Sequence, residues 1–358
     1  MASFEYSFPA VRGFQAGREY YIAMLPLSLL SKIFSSDQEI EYLSPEYRAQ
    51  RVLNETRIPE ITNYILQNRN SYVFSSLSAS INGDMQFVES DSGTDLGMLK
   101  IPMDSAFLLN DGQHRKAAIL QALNEDKSLE NETISIVFFK DEGLERAQQM
   151  FTDLNKHAVK TSKSLSTLYD NRDGLSKATR TVISKCEFLK NFTDLERDIL
   201  GKNSANFFTL SNLYNANKKI LRKENCSDTD LEFLISFWQA ISENIIEWKE
   251  VLNGELTKKA LREDYILTLG ITILAFGRLG NYFYVNKNRD LKTTLRKLKK
   301  INWKRSATEN WLNRAIRSNG KVIGGEQAAT MICSKIKMLL GIKLSVDELE
   351  KEKLLEVL

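Results

Sequence analysis

Asp111-Gly112-Gln113-His114-Arg115 sets a carboxylate, a backbone without Cβ, an amide, an imidazole and a guanidinium side by side. An apolar run, Ser105–Leu109, precedes it and reads as a strand; Lys116–Leu123 (KAAILQAL) follows and reads as a helix. A helix start leaves backbone N–H groups without intrahelical partners, at the positive end of the helix dipole. Asp111 has the chemistry of an N-cap, and Gly112 lets the backbone approach a neighbour closely. Gln113 adds an amide donor, His114 an imidazole, and Arg115 a planar fork suited to phosphate. Such a set could cradle the phosphate of a nucleotide or of DNA. It could equally be structural, with Asp111 capping the helix, Arg115 paired with a carboxylate and His114 bonded to a buried carbonyl.

A second concentration of chemistry lies at Asn286–Arg305. Lys287, Arg289, Lys292, Arg296, Lys297, Lys299, Lys300, Lys304 and Arg305 stand there against one acid, Asp290. Leu291, Leu298 and Ile301 mark an apolar face, so one side can pack while the rest projects charge. Neutralising phosphates with such a cluster gives sequence-independent affinity that falls steeply with salt. Arg314, Arg317 and Lys321 continue the trend. Trp303 and Trp311 could stack on bases but are better read as anchors to the core. A solvated helix face is the bland alternative; the lopsided run favours DNA. A smaller group, Lys156, His157, Lys160 and Lys163, could form a second wall facing the 111–115 turn, or an ordinary polar helix end.

The elements that must position these residues change character along the chain. Up to about residue 165 strands and helices alternate: Tyr6–Val11 and Glu19–Leu25 as strands, an amphipathic stretch after Pro26, and a helix over 45–68. A hairpin is expected at Asn82-Gly83, joining Leu77–Ile81 to Met85–Val88. Ile134–Phe139 reads as a buried strand, followed by a helix bearing Leu144, Ala147, Met150, Phe151 and Leu154. Beyond that, 175–190, 208–222, 229–252, 257–280, 288–300, 307–318, 326–340 and 346–356 are helical by period or composition. The expected fold is α+β: an α/β domain with a mixed sheet over 1–170, then an all-α domain over 171–358.

Composition excludes several classes. A charge of +3 across 358 residues announces no nucleic acid by itself, so distribution has to carry that argument. Cys186, Cys226 and Cys333 are far apart, which argues against a disulfide framework or a cysteine zinc site, and two histidines make a His-rich metal site improbable. The first fifteen residues lack the pattern of a signal peptide. Tyr265–Gly277 is uncharged but too short to span a bilayer, and reads as a buried central helix. A cytoplasmic protein is expected, with no membrane partner and no metal.

DGQHR is also the signature of a family. The motif, its flanking strand and helix, and the later Met150-Phe151-Thr152-Asp153-Leu154-Asn155-Lys156-His157-Ala158, similar to an F-x-x-x-N segment, resemble the DGQHR-domain proteins, and among them DndB, the regulator of DNA phosphorothioation. The turn also resembles the phosphate boxes of the ParB/sulfiredoxin superfamily and the DGQQR box of GmrSD-type restriction proteins. By motif the resemblance covers the first 165 residues; it reaches the rest by size and helical character.

It implies a ParB-like N-terminal fold and a repressor of a DNA sulfur-modification (phosphorothioation) operon. Implied partners are double-stranded promoter DNA, other sulfur-modification proteins and, for a palindromic operator, a second copy in a homodimer. The alternative is a nucleotide-binding or hydrolysing module of a modification or restriction system, holding a nucleoside triphosphate at Asp111–Arg115 with Asn155, Lys156 and His157. No Walker A lysine is present, so such a site would be of the non-P-loop kind. No catalytic residue is assigned: the carboxylate cluster of a nicking enzyme is not evident, nor is a helix-turn-helix.

Overall fold

The computed structural model describes residues 4–34, 53–156, 161–223, 225–287 and 290–356. The chain is α+β and packs as two compact units, Met1–Val159 and Lys160–Leu358.

The first unit is a seven-stranded mixed sheet in the order β4-β5-β1-β2-β7-β3-β6. Its strands are β1 (Glu5–Gln15), β2 (Arg18–Pro26), β3 (Leu77–Asn82), β4 (Gln86–Glu89), β5 (Leu96–Pro102), β6 (Ala106–Asp111) and β7 (Thr133–Lys140). Its helices are α1 (Leu30–Ile33), α2 (Ile58–Gln67), α3 (Gln113–Glu125) and α4 (Leu144–Lys156). β3 and β7 pair in parallel; every other pairing is antiparallel. Alternation puts Phe8, Ala10, Tyr21, Ala23, Leu25, Ile136 and Phe138 on one face, where they join Ile65 of α2 and Ile119, Ala122 and Leu123 of α3 in one core. α4 packs against β6.

The hairpin expected at Asn82-Gly83 does not form. β3 pairs with β6 and β7, whereas β4 pairs with β5. Leu77, Ala79 and Ile81 are fully buried, and with both edges of β3 occupied no edge remains for β4.

The second unit holds α5 (Lys163–Tyr169), α6 (Gly174–Lys185), α7 (Glu187–Phe192), α8 (Leu210–Leu221), α9 (Asp228–Asn244), α10 (Ile246–Leu252), α11 (Lys258–Asp264), α12 (Gly270–Val285), α13 (Leu291–Leu295), α14 (Thr308–Trp311), α15 (Gly325–Leu340) and α16 (Val346–Glu356). A two-strand patch, β8 (Thr193–Asp194) with β9 (Phe208–Thr209), interrupts them. α12 packs between α8 and α15. At Gly277 a Cβ would sit 2.6 Å from the Ala216 carbonyl oxygen, so glycine is what lets α8 and α12 touch along their backbones. All four tryptophans, Trp238, Trp248, Trp303 and Trp311, are buried in this core.

Three helical expectations need correction here. Tyr265–Leu269 is not part of the central helix: Tyr265 bridges to Lys304 and the Ile266 N–H donates to the Trp303 carbonyl, so α12 starts at Gly270. The basic run is not one α-helix. After α13 it tightens into a 3-10 turn, Arg296–Lys300, and then extends, and Leu295, Leu298 and Ile301 are buried at the three-residue period that such a turn eclipses. Of 307–318 only Thr308–Trp311 is helical, because Asn313 turns left-handed (φ 58°) and its N–H bonds to the Ile316 carbonyl.

Candidate nucleic-acid interface

The turn at 111–115 joins β6 to α3 through Gly112, whose φ of 103° is left-handed. A Cβ there would also lie 2.4 Å from Leu77 Cδ2, so backbone and packing both require glycine. Asp111 does not cap α3 as expected. Gly112 is the N-cap, and no side chain caps the helix. Gly112 turns the chain, and the Asp111 carboxylate accepts instead from Arg115 Nη2 at 2.5 Å. Arg115 Nη1 donates to the Ser75 carbonyl (2.6 Å), the Ser75 hydroxyl (2.6 Å) and the Ser76 carbonyl (2.9 Å).

Both terminal guanidinium nitrogens are thus engaged, and the side chain is only 18% exposed. His114 Nε2 accepts from the Asn54 N–H at 3.1 Å. Asn54 in turn caps the short turn that leads into α2. Gln113 is half-buried at the start of α3, and Lys116 Nζ donates to the Phe34 carbonyl at 3.0 Å. The turn therefore ties β6 and α3 to the chain before β3, to the start of α2 and to the end of α1. Of the second element, Lys156 is exposed at the end of α4, His157 lies outside the described residues, and the Asn155 side chain is not among those described.

The basic run divides sharply. Lys297 Nζ donates to the Leu340 carbonyl at 2.9 Å, and Arg305 donates from Nε to the Tyr265 carbonyl (3.2 Å) and from Nη2 to the Arg262 carbonyl (2.7 Å). These two cations satisfy the free carbonyls at the C-terminal ends of α15 and α11. Burial lowers the Arg305 pKa, against the pull of Asp264 and Glu263. Lys304 stands 6.0 Å over the Tyr265 ring. Trp303 and Trp311 stack on each other at 5.4 Å inside the core and are anchors. Arg314 is paired with Glu352, while Arg317 and Lys321 are exposed.

Lys287, Lys292, Arg296, Lys299 and Lys300 remain exposed, and Arg289 lies outside the described residues. Lys292, Arg296 and Lys299 border a cleft of about 410 Å³ whose other lining includes Gln239, Glu243 and Lys249. Lys249 comes from α10, well before the run in sequence, with no local charge cluster to flag it. Among the described residues no group of acids, histidines and cysteines could hold a metal, and no helix is long and apolar enough to cross a membrane.

A profile of the DndB family, described as DNA-sulfur modification-associated, matches residues 8–343. The chain belongs to the DndB family. The DndB match runs through both units and contains the 111–115 turn as well as the basic run; α16 lies beyond it. Membership associates the chain with DNA sulfur modification. No curated protein and no solved structure gives a significant match.

Proposed function

We propose that this DndB-family chain is a DNA-binding regulator that represses a DNA sulfur-modification operon, gripping promoter DNA through its helical unit. One observation carries the reading. Lys287, Lys292, Arg296, Lys299 and Lys300 are exposed within fourteen residues. None of them has an ion-pair partner among the described residues, whereas Lys219, Lys223, Arg278, Arg314, Lys337 and Lys351 of the same unit each hold a carboxylate. Uncompensated cations on a nearly neutral protein repel one another until an anion arrives, and phosphodiesters supply one at each nucleotide. Other sulfur-modification proteins and a second copy of the chain are the further partners this role calls for.

Gel-shift titration with the operon's promoter and a scrambled duplex of equal length tests the reading. Specific binding should exceed non-specific binding by roughly a thousandfold or more. Equal affinities at moderate salt would remove the repressor role and leave a general DNA contact. The alternative, a nucleoside triphosphate held at the 111–115 turn, has less support, because Arg115 is already occupied by Asp111, Ser75 and Ser76.

A further inference from the structure

We infer that Lys249, Lys292, Arg296 and Lys299 form a recessed seat for a phosphate group. This rests on the DNA-contact reading only for where that phosphate comes from. The four cations arrive from three elements: α10, α13 and the 3-10 turn after it. α9 ends at Asn244 and α10 begins at Ile246, and Lys249 of α10 lines the same cleft as Lys292 of α13 and residues of the last turns of α9. α13 and the turn both pack on α9, which supplies the floor.

Two floor amides are already fixed: Gln239 Nε2 donates to the Lys185 carbonyl (3.2 Å) and Asn244 Nδ2 to the Ala240 carbonyl (2.7 Å). None of the four cations has an ion pair among the described residues, and Glu243 is the one carboxylate in the lining. Asp290, the acid next to α13, caps that helix through the Thr293 N–H at 3.1 Å. Four positive charges against one negative make an anion the natural occupant.

The shape narrows the ligand. A recess of about 410 Å³ falls in the range of small-ligand clefts. No aromatic ring lines it, so it offers a base nothing to stack on. What it can recognise is phosphate, either a backbone phosphate of DNA or the phosphate of a free ligand. Glu243 sets the sign of a second test, because removing its charge should strengthen anion binding, and misfolding cannot produce a gain.

The experiment titrates pyrophosphate into the full chain by calorimetry, and a promoter duplex by gel shift, for wild type, Lys249→Gln with Arg296→Gln, and Glu243→Gln. Pyrophosphate affinity should fall tenfold or more in the double variant and rise roughly two- to fivefold in Glu243→Gln. Duplex affinity moving in the same order assigns the seat to the DNA backbone; duplex affinity unmoved assigns it to a free phosphorylated ligand. The seat is overturned if pyrophosphate gives equal heats with all three proteins, or no heat while duplex affinity stays constant. A wild type that holds pyrophosphate but treats promoter and scrambled DNA alike would sink the repressor reading and leave the seat intact.

Discussion

The turn at 111–115 and the run at 287–305 both concentrate cationic side chains, yet they use them in opposite ways. At the turn, Arg115 and Lys116 reach inward to carbonyls, a hydroxyl and a carboxylate of neighbouring segments. In the run, Lys297 and Arg305 do the same, while Lys292, Arg296 and Lys299 stand around a cleft without carboxylate partners among the described residues. The difference teaches that a cation near a helix end has two possible employers, the chain's own free carbonyls and an external anion. Composition cannot tell which. The first kind of cation should register in stability, the second in anion affinity.

The sharpest way to break that contrast is Gly112→Ala. The left-handed backbone and the approach of Leu77 Cδ2 act together, so the first unit should lose roughly 2–4 kcal/mol. Since every tryptophan lies in the second unit, the loss has to be followed by hydrogen exchange across β3, β6 and α3, not by fluorescence. Lys299→Gln with Lys300→Gln is the counterpart: stability within about 0.5 kcal/mol of wild type, and a duplex salt slope reduced by about 2. If both pairs of measurements moved together, the two regions would not differ as argued.

Next in size is Arg115→Ala, which strands Asp111 and the acceptors at Ser75 and Ser76. It should cost roughly 1–3 kcal/mol in the first unit by the same exchange measurement. Lys at this position restores charge but not the fork, and should recover only part. Full recovery would mean that charge alone, not the fork's geometry, holds the turn.

Within the run itself, Arg305→Ala should lower the urea midpoint of tryptophan fluorescence by the equivalent of about 1–2 kcal/mol, since it frees the Arg262 and Tyr265 carbonyls beside Trp303. Arg296→Ala, nine residues earlier, should leave that midpoint in place and weaken duplex retention. Identical midpoint shifts would erase the division of the run into structural and anion-facing cations.

Much of the architecture was legible in the residues. A mixed sheet is followed by helices, as the change of class along the chain indicates, and the strands at Tyr6–Val11, Glu19–Leu25 and Ile134–Phe139 lie inside β1, β2 and β7. Pairing was not legible. Asn82-Gly83 carries a turn signal, but which edge β3 takes depends on a contact with β7 more than fifty residues away. Leu96–Pro102 (β5) carries a weak strand signal, because glycine and lysine interrupt its apolar pattern. At the candidate interface, the run was visible as charge and Lys249 was not. The employment of Arg305 and Lys297 was hidden too, since helix ends that fall at Asp264 and Leu340 become known only once α11 and α15 are placed.

A pH-dependent effect concerns Lys223, an internally engaged cation in the second unit. It donates to Asp230 Oδ2 at 2.6 Å, and Tyr284 Oη donates to Oδ1 at 2.6 Å, in the capping box that starts α9. Burial by itself would raise the Asp230 pKa; Lys223, Tyr284 and the Ser227 N–H outweigh it and hold the carboxyl well below the usual carboxylate range. A carboxyl more acidic when folded stabilises the fold fully above its unfolded value, about 4, and that contribution fades as pH falls toward the folded value. Acidification from about pH 5 downward should therefore lower the fluorescence midpoint of wild type. Asp230→Asn starts lower at neutral pH and should descend less steeply. Added salt should weaken duplex binding by the cleft cations far more than it moves this midpoint, because the Asp230 carboxylate is buried. Parallel acid curves for the two proteins would show that Asp230 titrates as an ordinary surface acid, and the internal half of the contrast would lose its clearest pH signature.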